Sequence, residues 1–255
     1  MENIEKALIK AGRTAGEILR KNSFSYGKLE WKKLDDPVTA MDKSTEHLIK
    51  KILRKEAPGN FLGEEYGFED NKLDLTYIID PIDGTKSFIL RDFLSAVSIG
   101  VEENGKIKGG LVYDFMKDIM YVGYKGTNYI LFDGNKYEFK DKHDLSKPRI
   151  ICNKTNGLKE RLEEEGFSVN DLTGSLALNL TEIAAGNKDG AITGEIGKGA
   201  IWDIAGAYYF LKNKGFVTLD FYGNEFNHKE PNKGFIILRQ EITDKVLKII
   251  DEYKT

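Results

Sequence analysis

TYIIDPIDGTKSF, Thr76 to Phe88, carries an apolar, β-rich run into two aspartates three residues apart and then directly into Gly-Thr. Pro81 has no amide hydrogen and biases Asp80 toward an extended backbone, so a strand is expected to stop at Asp80 with its carboxylate at the C-terminal end. Gly84 then permits a tight turn, and the amides of Gly84, Thr85 and Lys86 can open a short helix aimed at an anion. Carboxylates beside a helix start suit a cation and a phosphate together. Mg²⁺ prefers hard oxygen ligands and keeps several waters, so two aspartates, a backbone carbonyl and a phosphate oxygen form a chemically sensible coordination shell. Aspartates also cap turns, and for a DxxDG motif taken alone that reading stays open.

Upstream of this stretch the periodicity is helical. Ile4, Ala7, Leu8, Ala11, Ala15, Ile18 and Leu19 recur at three- and four-residue spacing, which predicts an amphipathic helix over residues 2–21. Leu48, Ile49, Ile52 and Leu53 repeat the signal in a second helix that Pro58-Gly59 ends. Two helices are thus expected before the first strand. From Tyr77 to about Phe139 short β-rich runs (YIID, AVSIGVE, KGGLVYD, IMYVGY, YILF, YEF) alternate with Gly, Asn and Asp turns, as in an antiparallel sheet. Glu103-Asn104-Gly105-Lys106 and Phe132-Asp133-Gly134-Asn135 read as hairpin turns. After Lys147-Pro148 strands and helices alternate: RIIC, a helix over 156–165, FSV, a helix over 175–186, GAI, a helix over 201–213, VTLDF, FIIL and a helix over 241–253. The expected organisation is an N-terminal α+β half, 1–146, and a C-terminal α/β half, 147–255, joined through KDKHDLSKP, with no internal repeat.

Composition narrows the function. The chain has 255 residues, 40% of them apolar, enough for one large domain or two smaller ones. Thirty-eight basic residues nearly balance 41 acidic ones without a long single-sign block, which argues against nucleic acid or a membrane surface as partner. The single cysteine, Cys152, follows Ile150-Ile151 and reads as a buried thiol, in keeping with a reducing, cytoplasmic setting. No run approaches the roughly 18 apolar residues of a membrane span. His47, His143 and His228 lack metal-ligand spacing, and neither G-x-x-x-x-G-K-[ST] nor a strand-linked G-x-G-x-x-G is present.

Two further acidic segments give the DxxD motif company. NFLGEEYG sets Glu64 and Glu65 side by side between glycines, an arrangement that is repulsive unless a cation or solvent screens it. AIWDIAGAYYFL places Asp203 near the start of an apolar helix, where it either caps the helix or binds an ion. GEE at 63–65, DPIDGT at 80–85 and WDIAGA at 202–207, in this order and separation, resemble the inositol monophosphatase family of Mg²⁺-dependent, lithium-sensitive phosphatases, over nearly the whole chain. The family includes fructose-1,6-bisphosphatases, and archaeal members of about this length often accept both substrates. The resemblance implies a five-layered αβαβα sandwich of the sugar phosphatase type, mixing α+β and α/β halves, and a homodimer. It implies a cofactor of two or three Mg²⁺ ions, with Mn²⁺ as a substitute.

Matching positions carry the family's roles over. Glu64, Asp80, the Ile82 carbonyl, Asp83 and Asp203 resemble its metal ligands. Gly84 and Thr85, with Asp83, match the phosphate-cradling turn, and the Thr85 hydroxyl stands near the attacking water. In DPVTAMD, Thr39 and Asp42 resemble the pair that tunes that water; plain helix capping explains the same two residues equally well. WKKLDDP fits the family's loop pattern only with a one-residue shift, which touches Lys32, Lys33, Asp35 and Asp36. Glu195 is the nearest match to a glutamate that contacts substrate hydroxyls, although the spacing through IGKGAI is one residue longer. Ser175, in TGSLALN, reads either as a neighbour of the site or as a helix N-cap.

The implied reaction is in-line attack of a metal-activated water on a small sugar or polyol phosphate, inositol-1-phosphate or fructose-1,6-bisphosphate, without a covalent enzyme intermediate. A haloacid-dehalogenase-type phosphatase uses DxDGT, and here its nucleophile position is Pro81. The remaining alternatives are a 3′-phosphonucleotide or NADP phosphatase of the same family, and a non-catalytic metal-binding regulatory protein.

Overall fold

A computed structural model of the 255-residue chain describes residues 2–23, 29–33, 36–139, 144–153, 155, 157–194, 201–230 and 233–254. It divides into two compact units. The first is Met1–Glu138 together with Thr173–Leu178 and Trp202–Phe210; the second is Phe139–Leu172, Asn179–Ile201 and Leu211–Thr255. A single cut at residue 147 does not describe this division, because two short helical segments from later in the chain pack with the first sheet.

The elements of the N-terminal stretch are α1 (Glu2–Lys21), β1 (Leu29–Lys33), β2 (Asp36–Thr39), α2 (Ala40–Glu56), β3 (Asn60–Gly63), β4 (Gly67–Glu69), β5 (Leu75–Asp83), α3 (Thr85–Leu90), β6 (Ala96–Glu103), β7 (Lys106–Asp114), β8 (Ile119–Tyr124), β9 (Thr127–Phe132) and β10 (Asn135–Tyr137). The two predicted helices are present, but β1 and β2 pair as an antiparallel ribbon between them, so the second helix does not precede the first strand. Strands β3 to β10 form an eight-stranded sheet in the order β10-β9-β8-β7-β6-β5-β3-β4. It is antiparallel except where β3 runs parallel to β5. Both foreseen hairpins are present: Asn104 and Gly105 have φ of 50° and 73°, Asp133 and Gly134 48° and 72°, the paired positive φ of a tight two-residue turn.

Each face of this sheet takes a helical layer. On one face α1 lies across β6 to β8 and α2 against β5. Close approach of α1 rests on Gly12 and Gly16, where an added Cβ meets the Leu111 and Tyr113 side chains at 2.7 and 2.3 Å. Leu111, Tyr113, Val97, Ile99, Tyr77 and Ile79 join Ala11, Ala15 and Leu19 in one buried cluster. Alternate residues of the same strands face the other way, as the two-residue period of a strand requires. There Gly100 and Gly110 approach Ala205 and Gly206; a Cβ on Gly110 meets the Gly206 carbonyl oxygen at 2.0 Å. Ser98 adds a hydrogen bond from its hydroxyl to the Trp202 carbonyl, 3.0 Å. The helix that carries Asp203 is thereby seated on the sheet that carries Asp80 and Asp83.

The second unit centres on a five-stranded sheet of order β12-β11-β13-β15-β14, formed by β11 (Arg149–Asn153), β12 (Ser168–Asp171), β13 (Gly190–Thr193), β14 (Val217–Leu219) and β15 (Phe235–Leu238). The helices of this part of the chain are α4 (Leu158–Glu164), α5 (Leu176–Ala184), α6 (Ile201–Asn213) and α7 (Gln240–Lys254). They fall where the alternating pattern places them. Ile150, Cys152, Ile192, Ile236 and Leu238 pack with Leu158, Leu162, Ile242, Val246 and Ile249, so the cysteine is a buried core residue. Asp189, fully buried, accepts hydrogen bonds from the Arg149 amide at 2.8 Å and from Arg239 Nε at 3.2 Å, which fastens the start of β11 to the end of β15. Among the described residues no helix is long and apolar enough to cross a membrane.

Because the Gly110–Gly206 approach is backbone against backbone, little can yield there. Gly110→Ala is expected to destabilise the protein by about 1–3 kcal/mol, read as a lower urea midpoint with an unchanged m value; an unchanged midpoint contradicts this packing account.

Candidate active site

The DxxD spacing poses a problem that the backbone solves. Along a regular strand, residues three apart point to opposite faces. Strand β5 does not stop at Asp80 as the sequence suggested; it continues to Asp83 through an irregularity. Asp80 pairs with Ser98 and Asp83 with Ala96, so Pro81 and Ile82 on one strand stand against Val97 alone on the other. That is a bulge of one extra residue, and Pro81, which cannot donate to the ladder, sits inside it. Ser98 and Ala96 share a face, so Asp80 and Asp83 do too, while Ile79 and Ile82 both enter the core on the α1–α2 side. The bulge turns a spacing that should split two carboxylates into one that joins them. The Asp80 side chain fixes it, accepting the Ile82 amide at 2.9 Å.

Asp203, in the first turn of α6, completes a three-carboxylate group with Asp80 and Asp83, in which one oxygen of each lies within 4.8 Å of the others. Asp80 and Asp83 are buried and Asp203 is partly so. Burial, followed by the charges of Glu64, Asp83 and Asp203, pushes the Asp80 pKa well above the ordinary carboxylate range. Asp83 is raised by burial to about 6, despite hydrogen bonds from Ser175 and the Ala177 and Leu176 amides that favour its charged form. Three acids gathered out of water need either protons or a cation. Their donors are all hard oxygens, so the residues fit Mg²⁺.

Glu64 follows β3, and its amide donates to the Ile79 carbonyl at 3.1 Å. Its charge acts on both Asp80 and Asp83, although the tight group contains only the three aspartates. Gly84 is left-handed at φ 84° and N-caps α3. A Cβ there lies 2.7 Å from the Leu94 carbonyl and 2.9 Å from the Ser175 nitrogen, so glycine is required twice over. The Thr85 hydroxyl lies 3.0 Å from Asp42 Oδ1 and 2.9 Å from the Ile82 carbonyl. Asp42 is buried in the first turn of α2 and engages Thr85 across 43 residues, a role that helix capping alone does not give it.

Ser175 unites both of its sequence readings. Its hydroxyl accepts the Leu178 amide at 3.0 Å, as an N-cap does, and donates to Asp83 Oδ2 at 2.5 Å. The Ala177 amide donates to the same oxygen at 2.6 Å, which ties the start of α5 to the acidic group. The side chains of Lys32, Lys33, Asp36 and Thr39, and all of Asp35 and Glu195, lie outside the described residues. Sequence reasoning missed Glu46, which is fully buried on α2 and accepts the Glu65 amide at 2.7 Å. A signal was present, since Asp42, Thr45, Glu46 and Lys50 place polar residues on the inner side of a helix that also carries Ile49 and Leu53.

Comparison with known proteins gives this geometry a lineage. Residues 1–255 match the inositol monophosphatase family. Inositol monophosphatase 1 of Solanum lycopersicum is 32% identical over 244 residues, 89% of this chain and 88% of that protein. A Thermotoga maritima protein named fructose-1,6-bisphosphatase/inositol-1-monophosphatase is 32% identical over 225 residues, 85% and 83% of the two chains. A solved Thermotoga maritima IMPase has a TM-score of 0.83 at 29% identity, covering 99% of this chain and 98% of its own. The layered α+β class read from the sequence is borne out by that likeness. The chain belongs to the inositol monophosphatase family, and it is a phosphoric monoester hydrolase of that metal-dependent group.

Proposed function

We propose that the protein hydrolyses inositol-1-phosphate, fructose-1,6-bisphosphate or both, using Mg²⁺ held by Asp80, Asp83, Asp203, Glu64 and the Ile82 carbonyl. The observation that carries this reading is the buried three-aspartate group at the β5 bulge. The Thermotoga maritima relative, whose name joins the two activities, supports the substrate pair. Magnesium, when bound, supplies Lewis-acid charge where the attacking and leaving oxygens develop theirs.

The protein's own groups do the positioning. The amides of Gly84 and Thr85, at a turn that glycine alone can make, receive phosphate oxygens. A threonine hydroxyl has one hydrogen and two lone pairs. With its hydrogen directed to Asp42 or to the Ile82 carbonyl, Thr85 keeps a lone pair to accept a hydrogen from the attacking water and so orient it. When that hydrogen is directed to Asp42, Thr85 passes it to the carboxylate as it takes one from the water. Ser175 and Ala177 hold Oδ2 of Asp83 and so fix the orientation of its carboxylate. The Trp202–Asp203 helix start is held by Ser98, so the third aspartate comes from a braced element.

Phosphate release from inositol-1-phosphate, fructose-1,6-bisphosphate, a 3′-phosphonucleotide and NADP, with Mg²⁺ and with or without Li⁺, tests the assignment. The first two are expected to be preferred, with Li⁺ inhibiting. Preference for a nucleotide overturns the substrate, and no turnover of any of them favours the regulatory alternative. Asp83→Asn is expected to lower Mg²⁺-dependent turnover by at least about 10²-fold while the protein stays folded; near-normal activity contradicts the site.

The same variant has a stability signature. The folded chain without metal binds a proton at Asp83 more tightly than the unfolded chain does, because its pKa rises from 3.8 to about 6. This group's contribution is therefore most favourable below the unfolded value and is lost as pH rises through the folded one. Asparagine keeps an oxygen for Ser175 and Ala177 but carries no charge. In EDTA, the melting temperature of Asp83→Asn minus that of wild type is expected to increase from pH 4 to pH 7.5, and saturating Mg²⁺ to close or reverse the gap. A pH-independent difference sinks this electrostatic account.

A further inference from the structure

Glu46 is a fully buried carboxylate that the reaction does not use. Removing a charge from water costs several kcal/mol per ion unless good partners compensate it. Its partners are specific. Oε2 accepts the Glu65 amide at 2.7 Å. Lys50, one helical turn on and itself buried, places Nζ 2.7 Å from Oε1, an ion pair that is electrostatic rather than a well-directed hydrogen bond. Nζ also stands 5.3 Å from the centre of the Tyr66 ring. A Cβ added to Gly63 falls 1.9 Å from Oε1, so the chain leaving β3 crosses directly over this carboxylate.

The residue between these contacts is Glu64. Its own amide is bonded to the Ile79 carbonyl of β5, and the following amide to Glu46. The backbone that presents its carboxylate toward Asp80 and Asp83 is therefore fixed on both sides. Lys50 stands against Glu46, so the acceptor for the Glu65 amide belongs to an ion pair and not to a lone buried carboxylate. From this we infer that the Glu46–Lys50 pair is a positioning device for Glu64 as a cation ligand; the inference rests on the metal-site reading above. Groups that orient metal ligands are typically worth 10–100-fold in affinity.

Two charge-balanced double variants separate acceptor from charge. E46Q/K50M keeps an oxygen for the Glu65 amide. E46L/K50M fills similar volume with apolar groups, a replacement that is often neutral for stability, but offers no acceptor. Calorimetric Mg²⁺ titration of the full chain is expected to show E46Q/K50M close to wild type and E46L/K50M weaker by about tenfold or more, with similar melting temperatures. A second measurement adds Glu64→Gln. It is expected to weaken Mg²⁺ binding in wild type and to change it little in E46L/K50M, whereas general loosening leaves the penalty equal. Equal Mg²⁺ affinity in the two doubles, or an equal Glu64→Gln penalty in both backgrounds, overturns the inference and leaves the metal site standing. A wild type that takes up no Mg²⁺ overturns the site reading and this inference together.

Discussion

Mutual repulsion among Asp80, Asp83 and Asp203 is the constraint around which the first unit is arranged. Acids this close cannot all ionise without compensation, and burial first, with neighbouring carboxylate charge second, raises Asp80 and Asp83 above the ordinary carboxylate range. The chain concentrates this unfavourable charge at one point and surrounds it with elements that cannot move apart: a bulge fixed by an Asp80 side-chain bond, a helix start tied to Asp83, and a second helix start bonded through Ser98. Unfavourable charge gathered in this way marks a place where a cation is expected.

The scaffold's small residues serve the same end. Gly12 and Gly16 admit α1 on one face of the eight-stranded sheet, and Gly100, Gly110 and Gly206 admit α6 on the other. Close packing on both faces leaves β5 little freedom, and β5 presents two of the three aspartates. On the α1–α2 side, polar residues continue the theme: Asp42 reaches Thr85, and Glu46 reaches the turn that carries Glu64. Rigidity and charge placement thus come from the same helices.

Much of this could be read from the sequence. The periodicity of α1, the two hairpins at Asn104-Gly105 and Asp133-Gly134, and the strand-helix alternation after residue 147 are local signals, and local signals survive folding. The acidic constellation was legible because DPIDGT, GEE and WDIAGA are compact and distinctive. What escaped was non-local. Pro81 argued for the end of a strand, yet a bulge accommodates proline as readily as a terminus does, and only pairing with β6 decides between them. The β1–β2 ribbon was missed because LEWKK and DPVT are short and Pro37 argues against a strand, so only their pairing with each other makes it plain. Glu46 lies among polar residues on the inner side of α2, but a glutamate on a helix is ordinarily solvated, and its burial depends on the chain that crosses it at Gly63. Ser175 was undecided between two roles that the structure shows it to fill at once.

The central claim is that these three aspartates are held together to bind a divalent cation. A crystal structure grown with Mn²⁺, with its anomalous signal recorded, addresses that claim most directly. The account predicts an anomalous peak within about 2.0–2.6 Å of oxygens from Asp80, Asp83 and Asp203, the range of hard-cation coordination by oxygen. Manganese found only elsewhere, with the three carboxylates bonded to one another through shared protons, contradicts it.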